Sequence, residues 1–434
     1  MASQAPILIV GAGQAGVQIA ESLRQEGYGD ELLLIGNESH PPYQRPPLSK
    51  KWLLEPGAYS ALALRGAEAL QRRRITLRLD SEVSAIDRAA SQLQLATGER
   101  LDYSKLALAT GASARALPVP GAGLGEVLSL RSIGDSAAIS AAIRRCAAAA
   151  RPVVVIGGGF IGLEVAAAAR KLGAAVTVLE GLPRLMSRVT APIVSDAFER
   201  VHRAHGVELV FGAQVTQLLG AGDVEAVCTT DGREYPAGCV IVGIGVVPDD
   251  RLAMAAGLAC DRGILVDDCA RTSDASIVAA GDCTARRLAD GRLLRLESVQ
   301  NAVEQAKSAA AALLGRERPF VAAPWFWSDQ YDIKLQMVGL SHGYDQVVTR
   351  GDLDKPAFSA FYFRAGRLIA VDSLSRVQDH MQSKRLLDHG LSPTPEQAAD
   401  PQFELQSLLK DARTATAGGA LIPRRASRAR RLRA

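Results

Sequence analysis

One short pattern occurs twice in this chain, and it constrains the fold more than any other feature. Residues 6–38 read as an apolar strand, Ile7-Leu8-Ile9-Val10, then a glycine turn, Gly11-Ala12-Gly13-Gln14-Ala15-Gly16. A helix follows, then a second apolar strand from Leu32 to Ile35. Residues 153–180 repeat the sequence of events as Val153-Val154-Val155-Ile156, Gly157-Gly158-Gly159-Phe160-Ile161-Gly162, a helix, and a strand from Val176 to Leu179 that ends at Glu180. A G-x-G-x-x-G turn between a strand and a helix belongs to a parallel βαβ unit. Its first glycine permits the tight turn, the second lets the backbone approach a pyrophosphate, and the third allows close helix–strand packing. The helix then aims its free N–H groups and positive dipole end at the phosphates. Gly11, Gly13 and Gly16, and Gly157, Gly159 and Gly162, are therefore candidate dinucleotide-binding residues.

Two units mean two ligands. The first copy alone suggests NAD. The second has an acid, Glu180, about twenty residues after its glycines, a spacing that suits a hydrogen bond to a ribose 2′-hydroxyl. An anion there repels a 2′-phosphate, so NADH is expected over NADPH. Two adjacent units suit a flavin that receives hydride from a nicotinamide, the rings meeting where the domains meet.

The segments between the copies add shape. Residues 39–50 hold four prolines in Ser-His-Pro-Pro-Tyr-Gln-Arg-Pro-Pro-Leu-Ser-Lys, which predicts a rigid loop, followed by a helical stretch over Lys51–Leu54. Leu106 to Gly111 reads as an apolar strand ending on small residues, where Thr110 and Gly111 would let a cofactor approach the backbone. A Pro-, Gly- and Ala-rich linker (112–125) leads to a helix expected over Ser136–Ala149. Val207–Phe211 reads as another strand. Ser276 to Asp282 reads as a buried strand ending in Gly-Asp, with Asp282 placed either to accept from ribityl hydroxyls or to cap a following helix. From Pro324 the composition changes. Strand-like runs at 334–340, 346–350 and 357–374, the last turning at Ala365-Gly366, and a helix near 376–389 suggest a small α+β domain.

Composition narrows the function. A chain of 434 residues with 48% hydrophobic and 22% charged residues has material for two or three globular cores. No apolar run approaches the ~20 residues of a membrane span. The first strand starts so early that no signal peptide is expected, which makes a cytoplasmic location the default. The net charge of +4 misleads, because seven arginines and no acid lie between Ala412 and Ala434. Without them the chain is negative, and nucleic-acid binding by its body has no support. That tail is expected to be disordered. The six cysteines form no C-x-x-C pair and none precedes Cys146, so a metal site, a disulfide framework and a reactive redox thiol near the first unit are all disfavoured. His202 and His205 read as surface histidines rather than metal ligands.

Beyond the two glycine turns, several linked motifs stand out: Pro-Pro-Leu-Ser-Lys at 46–50, Ala-Thr-Gly at 109–111 and Gly-Gly-Gly-Phe-Ile-Gly-Leu-Glu at 157–164. Further on come Ala-Gly-Asp-Cys at 280–283, Glu-Ser-Val-Gln-Asn at 297–301 and Ala-Pro-Trp-Phe-Trp-Ser-Asp-Gln at 323–330. With these, residues 5–410 resemble the bacterial FAD-dependent NADH:ferredoxin reductases. The resemblance implies an α/β fold with two Rossmann-like, glutathione-reductase-type dinucleotide-binding domains plus a C-terminal α+β domain. The expected bounds are 1–112 with 243–323 for FAD, 113–242 for NAD and 324–411 for the last, leaving 412–434 as a tail.

The resemblance also carries FAD contacts onto Ala15, Asn37, Lys50, Val83, Arg131, Asp282 and Val299. The family usually has an acid at position 37; here either Asn37 or the adjacent Glu38 would hold the adenosine ribose. Lys50 is expected near flavin N5, paired with Glu164 from the NAD-domain helix, where a cation stabilises the charge of the reduced ring. Trp327 is expected to cover the flavin or line the electrons' exit. The implied activity is electron transfer from NADH through FAD to a [2Fe–2S] ferredoxin that supplies a haem monooxygenase, by a monomer or homodimer. A rubredoxin reductase or NADH oxidase of the same fold, or a redox-sensing interaction flavoprotein, are the alternatives.

Overall fold

The computed structural model describes residues 5–288 and 290–410, and the chain divides into two compact units, 1–336 and 337–434. The Arg-rich tail expected to be disordered lies outside the described residues.

In the first unit the opening pattern forms β1 (Ile7–Val10), α1 (Gln14–Gln25) and β2 (Leu32–Ile35), followed by β3 (Thr76–Arg78) and β4 (Lys105–Leu108). A second group comprises β5 (Val127–Ser129), α2 (Ile133–Ala148), β6 (Val153–Ile156), α3 (Phe160–Lys171), β7 (Val176–Glu180), α4 (Pro192–Ala204), β8 (Val207–Phe211) and β9 (Cys239–Val242). The chain then returns as β10 (Ile277–Ala279), α5 (Val299–Leu313) and β11 (Trp325–Gln330). Two parallel five-stranded sheets result, ordered β10-β4-β1-β2-β3 and β8-β7-β6-β9-β5. The fold is thus α/β and doubly wound, as the repeated pattern implies.

Continuous apolar strands follow from burial on both faces. Ile7 and Ile9 of β1 pack with α1 and α5, whereas Leu8 and Val10 pack on the opposite face with Ile277 and Leu258. Helix α2 starts three residues before the expected Ser136, because Ser132 caps it: its hydroxyl accepts from Asp135 N–H and the Asp135 carboxylate accepts from Ser132 N–H. Asp282 caps no helix; the chain runs from it into a strand at Thr284–Arg287.

In the second unit, β12 (Gln346–Asp352), β13 (Ala357–Arg364) and β14 (Arg367–Leu374) form an antiparallel meander. Ala365 and Gly366 both take positive φ (49° and 69°), as a two-residue I′ hairpin turn requires. Helix α6 (Val377–Asp388) lies against this sheet: Ser359 Oγ donates to Asp379 Oδ2 at 3.0 Å. Among the described residues no helix is long and apolar enough to cross a membrane.

Candidate active site

The two glycine turns are superimposable in their chemistry. Gly11 N–H donates to Ile35 O and Gly157 N–H to Leu179 O, each at 2.8 Å, closing each turn on its second strand. A Cβ on Gly11 (φ +108°) would lie 2.1 Å from Ala109 O, and one on Gly157 (φ +108°) 2.5 Å from Gly243 O. A Cβ on Gly16 or Gly162 would overlap the carbonyl of the first glycine, at 1.9 and 2.1 Å. The middle glycines differ: at Gly13 and Gly159 a Cβ would meet nothing within 4 Å. Four glycines are thus required by packing, whereas the other two border open space. No side chain caps the helix that starts after either one, so both N-termini present backbone donors to that open space. This geometry fits two pyrophosphates.

At the ends of the second strands the copies diverge. Glu180 accepts from Gly158 N–H at 2.6 Å and Leu182 N–H at 2.8 Å, which holds its carboxylate beside the second turn. In the first copy Asn37 is exposed. Both oxygens of the adjacent Glu38 are taken: Arg45 Nη2 donates to Oε1 and Tyr43 Oη to Oε2, each at 2.5 Å. Arg45 also donates to Arg131 O at 2.7 Å, and the Tyr43 hydroxyl accepts from Ile133 N–H at 3.3 Å. Glu38 therefore anchors Tyr43 and Arg45, which join the proline-rich loop to the start of α2. Burial, with Glu38 beside it, pushes the Tyr43 phenol well above its ordinary range.

Past β10 the Gly281-Asp282 step brings several expected residues together. Gly281 has φ +88° and its α-carbon faces Ala15, with a Cβ there 3.1 Å from the alanine methyl. Arg131 Nη2 lies 3.3 Å from Asp282 Oδ2 and would lie 3.2 Å from a Cβ on Gly111. Burial raises the Asp282 carboxyl, opposed chiefly by Arg131. Thr110 Oγ1 donates to Asp249 O at 2.6 Å, tying the end of β4 down. Val299 is the first residue of α5, and Ser298 caps that helix by accepting from Asn301 N–H. Val83 opens a separate three-stranded sheet (83–102) and packs against the cluster that includes Val10 and Ile35.

The third focus joins the copies. Lys50, at the end of the one-turn helix Pro46–Ser49, places Nζ 2.9 Å from Glu164 Oε1, with Glu164 on α3 of the second copy. Glu164 is 4% exposed and Lys50 18%, so the pair is shielded but open on the lysine side. Two serines complete the carboxylate's coordination: Ser49 Oγ donates to Oε2 at 2.5 Å and Ser328 Oγ to Oε1 at 2.6 Å. Both serines lie inside motifs already singled out, yet neither was selected as a site residue. What marks them is a buried acid that one cation cannot satisfy alone.

Strand β11 reaches Glu164 because its repeat matches that of α3. Phe160 and Glu164 lie four residues apart, about 6 Å of helix rise. Phe326 and Ser328 lie two apart, about 6.6 Å of strand. Phe160 meets Phe326 with ring centroids 4.7 Å apart, and Glu164 meets Ser328 one step further on. Trp325 and Trp327 therefore lie on the opposite face of β11, their rings 5.4 Å apart. The structure brings Lys50 and Glu164 into contact and places Trp327 one residue from Ser328.

His202 corrects the sequence reading. It is fully buried, whereas His205 is exposed as expected. His202 falls on the buried stripe Val194, Phe198, His202 of α4, a four-residue spacing that was legible as a helical core face. The six cysteines are all unpaired. Cys283, nearest the Gly281-Asp282 step, is fully buried, and burial pushes its thiol up to about 11, so it is no thiolate nucleophile. Among the described residues no group of three or more His, Cys, Asp or Glu could hold a metal ion.

Comparison with known proteins agrees with this geometry. Residues 5–306 match the pyridine nucleotide-disulphide oxidoreductase family, and residues 325–409 match the reductase C-terminal family. Over 402 residues the chain is 45% identical to rhodocoxin reductase of Rhodococcus erythropolis, covering 92% of this chain and 93% of that one. It superimposes with a TM-score of 0.89 on the ferredoxin reductase for the CYP199A2 system of Rhodopseudomonas palustris, 44% identical, with 93% and 99% of the two chains covered. The same score, at 41% identity and with 95% and 99% covered, relates it to the reductase of the covalent putidaredoxin reductase–putidaredoxin complex.

Proposed function

The chain belongs to the pyridine nucleotide-disulphide oxidoreductase family, and from that premise we propose that it is an FAD-dependent NADH:ferredoxin oxidoreductase. The observation that carries this reading is the Lys50–Glu164 contact between a loop leaving the first dinucleotide cradle and the helix of the second. It ties a residue beside one ligand site to a residue beside the other, which an enzyme passing hydride between two dinucleotides needs and a single-ligand dehydrogenase does not.

In this reading residues 1–112 and 243–323 hold FAD, 113–242 hold NADH, and 324–411 form the C-terminal domain. Bound flavin supplies the conversion of a two-electron donor into one-electron steps. Gly11, Gly13, Ala15 and Gly16 would receive its pyrophosphate, with Val83, Thr110, Gly111 and Val299 lining the approach. Asp282, held by Arg131, would accept from the ribityl hydroxyls. Asn37 rather than Glu38 would hold the adenosine ribose, because the Glu38 carboxylate is turned towards Arg45 and Tyr43 whereas Asn37 is exposed. Gly157, Gly159 and Gly162 would receive NADH, with Glu180 orienting its ribose. Lys50, oriented by Glu164, supplies positive charge where the reduced ring gathers negative charge, and Trp327 shields that edge.

One NADH would yield NAD⁺, a proton and two reduced [2Fe–2S] ferredoxins, which in turn would supply a haem monooxygenase. The ferredoxin partners named for the similar structures support this acceptor. Six free thiols, five of them buried, suit a reducing cytoplasm. The test is the visible spectrum of the purified protein, then stopped-flow reduction of a panel of iron–sulfur proteins by NADH. A flavin band that NADH bleaches, with rapid reduction of a [2Fe–2S] ferredoxin, is expected. Absence of the band, or turnover with oxygen alone, would overturn the proposal.

A further inference from the structure

The contacts around Glu164 do not end at Ser328. Gln330 Nε2 lies 3.2 Å from Ser328 Oγ, and Gln330 Oε1 lies 2.8 Å from His202 Nε2. Every member is buried: Glu164 4%, Ser328 0%, Gln330 0% and His202 0% exposed. The donor and acceptor roles along the series can be read from its Lys50 end. A carboxylate only accepts, so the Ser328 hydroxyl must donate to Glu164. Its oxygen then accepts from the Gln330 amide nitrogen, which turns the amide oxygen towards α4. That oxygen requires a donor, and His202 Nε2–H is the one present.

We propose that His202 is a positioning residue for the Lys50–Glu164 pair, acting by fixing the orientation of the Gln330 amide. The inference rests on the functional reading above only in what the pair is for. The two ends of an amide are nearly the same shape, so geometry alone does not hold Gln330 in one orientation. Rotated by half a turn, it would present Oε1 to Ser328. The serine hydroxyl would then donate to Gln330 instead of Glu164, and the carboxylate would lose one of its three partners and its defined orientation towards Lys50. The His202 donor makes that rotation unfavourable, since it would set N–H against N–H.

The surroundings of His202 fit a neutral donor with one job. Its Nδ1 has no hydrogen-bond partner and is buried, so a proton there would be unsatisfied. The Tyr331 ring meets the imidazole edge-on at 5.1 Å, and His205 stacks on that tyrosine at 3.7 Å. Burial drives the His202 pKa down to about 4, with the neighbouring His205 adding to the effect and the Gln330 contact opposing it. The imidazole is thus a fixed Nε2–H donor at neutral pH.

The experiment compares His202→Leu, which removes the donor, with His202→Gln, whose amide nitrogen can replace it. Both are read by stopped-flow flavin reduction, flavin midpoint potential, FAD content and thermal stability. His202→Leu is expected to slow reduction about fivefold, the weight of one hydrogen bond, and to lower the potential, with FAD content unchanged. His202→Gln should remain within about twofold of wild type. Gln330→Met, which keeps the shape and breaks the series on another element, should reproduce the leucine variant. In a Ser328→Ala background His202→Leu should have no further effect on rate or potential. Wild-type rate and potential in His202→Leu and Gln330→Met, whatever their stability, would overturn the inference, as would equal impairment by Leu and Gln or additivity with Ser328→Ala. A flavin-loaded wild type beside unaffected variants sinks this inference alone. Wild-type protein without flavin sinks the functional reading and this inference with it.

Discussion

Lys50 Nζ and Glu164 Oε1 stand 2.9 Å apart and join two copies of one βαβ pattern. Neither copy supplies both partners. The lysine ends the proline-set turn after the first unit, and the glutamate lies on the second unit's helix, beyond its glycine turn. The carboxylate has three donors, from Ser49, Lys50 and Ser328, so the ion pair is one contact in a nearly saturated site. That arrangement separates what the lysine does for stability from the chemical role proposed for it.

Lys50→Ala should therefore be mild for the fold and marked for the reaction. The buried Glu164 keeps two serine donors, so the loss should be about 1–2 kcal/mol, below the 3–5 of a fully buried pair stripped of one partner. Urea unfolding checks this. Flavin reduction by NADH should slow at least tenfold with FAD retained, and a wild-type rate in stopped flow would remove Lys50 from the mechanism.

Asn37 and Glu38 offer a contrast between neighbours. The Glu38 carboxylate is turned towards Tyr43 and Arg45, whereas Asn37 is exposed and is the proposed ribose partner. Asn37→Ala should weaken FAD binding by about 1–2 kcal/mol, roughly 5- to 30-fold, by removing a hydrogen-bonding group. Glu38→Gln should leave FAD affinity within about threefold while lowering stability through the loosened Arg45 contact. Reconstitution of apoprotein with FAD, followed by fluorescence, distinguishes the two; the reverse ranking would reassign the ribose to Glu38.

Much of this was legible in the sequence for a physical reason. Gly11, Gly16, Gly157 and Gly162 are demanded by backbone collisions that any side chain would create, so the pattern and the fold are one constraint. The hairpin at Ala365-Gly366 and the exposure of His205 were legible from local chemistry too. The role of Glu38 was not, because its partners, Tyr43 and Arg45, lie in a proline loop with no periodicity to read. Nor was the burial of His202 anticipated: its polarity outweighed its place on the Val194–Phe198 stripe, and its partner Gln330 comes from a strand far along the chain. Sequence spacing reports local geometry well, whereas contacts closed by distant segments leave no spacing to read.

Glu180 makes a prediction with two parts. Its carboxylate accepts from Gly158 and Leu182 N–H, so it shapes its turn in addition to the ribose contact proposed for it. Glu180→Arg should shift the ratio of kcat/KM for NADPH over NADH upwards by at least about tenfold, about 1.4 kcal/mol. It should also cost about 1–2 kcal/mol of stability through the two freed donors. Steady-state kinetics with both nucleotides measure the first part, and unchanged selectivity would cancel the ribose assignment.

Asp372 makes a prediction away from the site. It is 1% exposed on β14 and accepts from the Tyr362 hydroxyl at 2.5 Å. Burial pushes its pKa from the ordinary 3.8 up to about 7, with the Tyr362 hydrogen bond opposing. An acid whose folded pKa is raised binds its proton more tightly when folded, so its contribution is favourable at low pH. Stability is then lost as pH rises from about 4 to about 7, and the loss is complete above the folded value. Asp372→Asn keeps the shape and an acceptor for Tyr362 but cannot ionise. The variant should match wild type near pH 4 and exceed it by about 2–4 kcal/mol at pH 8, the difference growing across that window. The buried His380, held down to about 4, is present in both proteins, so the difference between their urea-unfolding free energies isolates Asp372. A difference that does not change with pH would mean that this carboxylate has the same charge folded and unfolded.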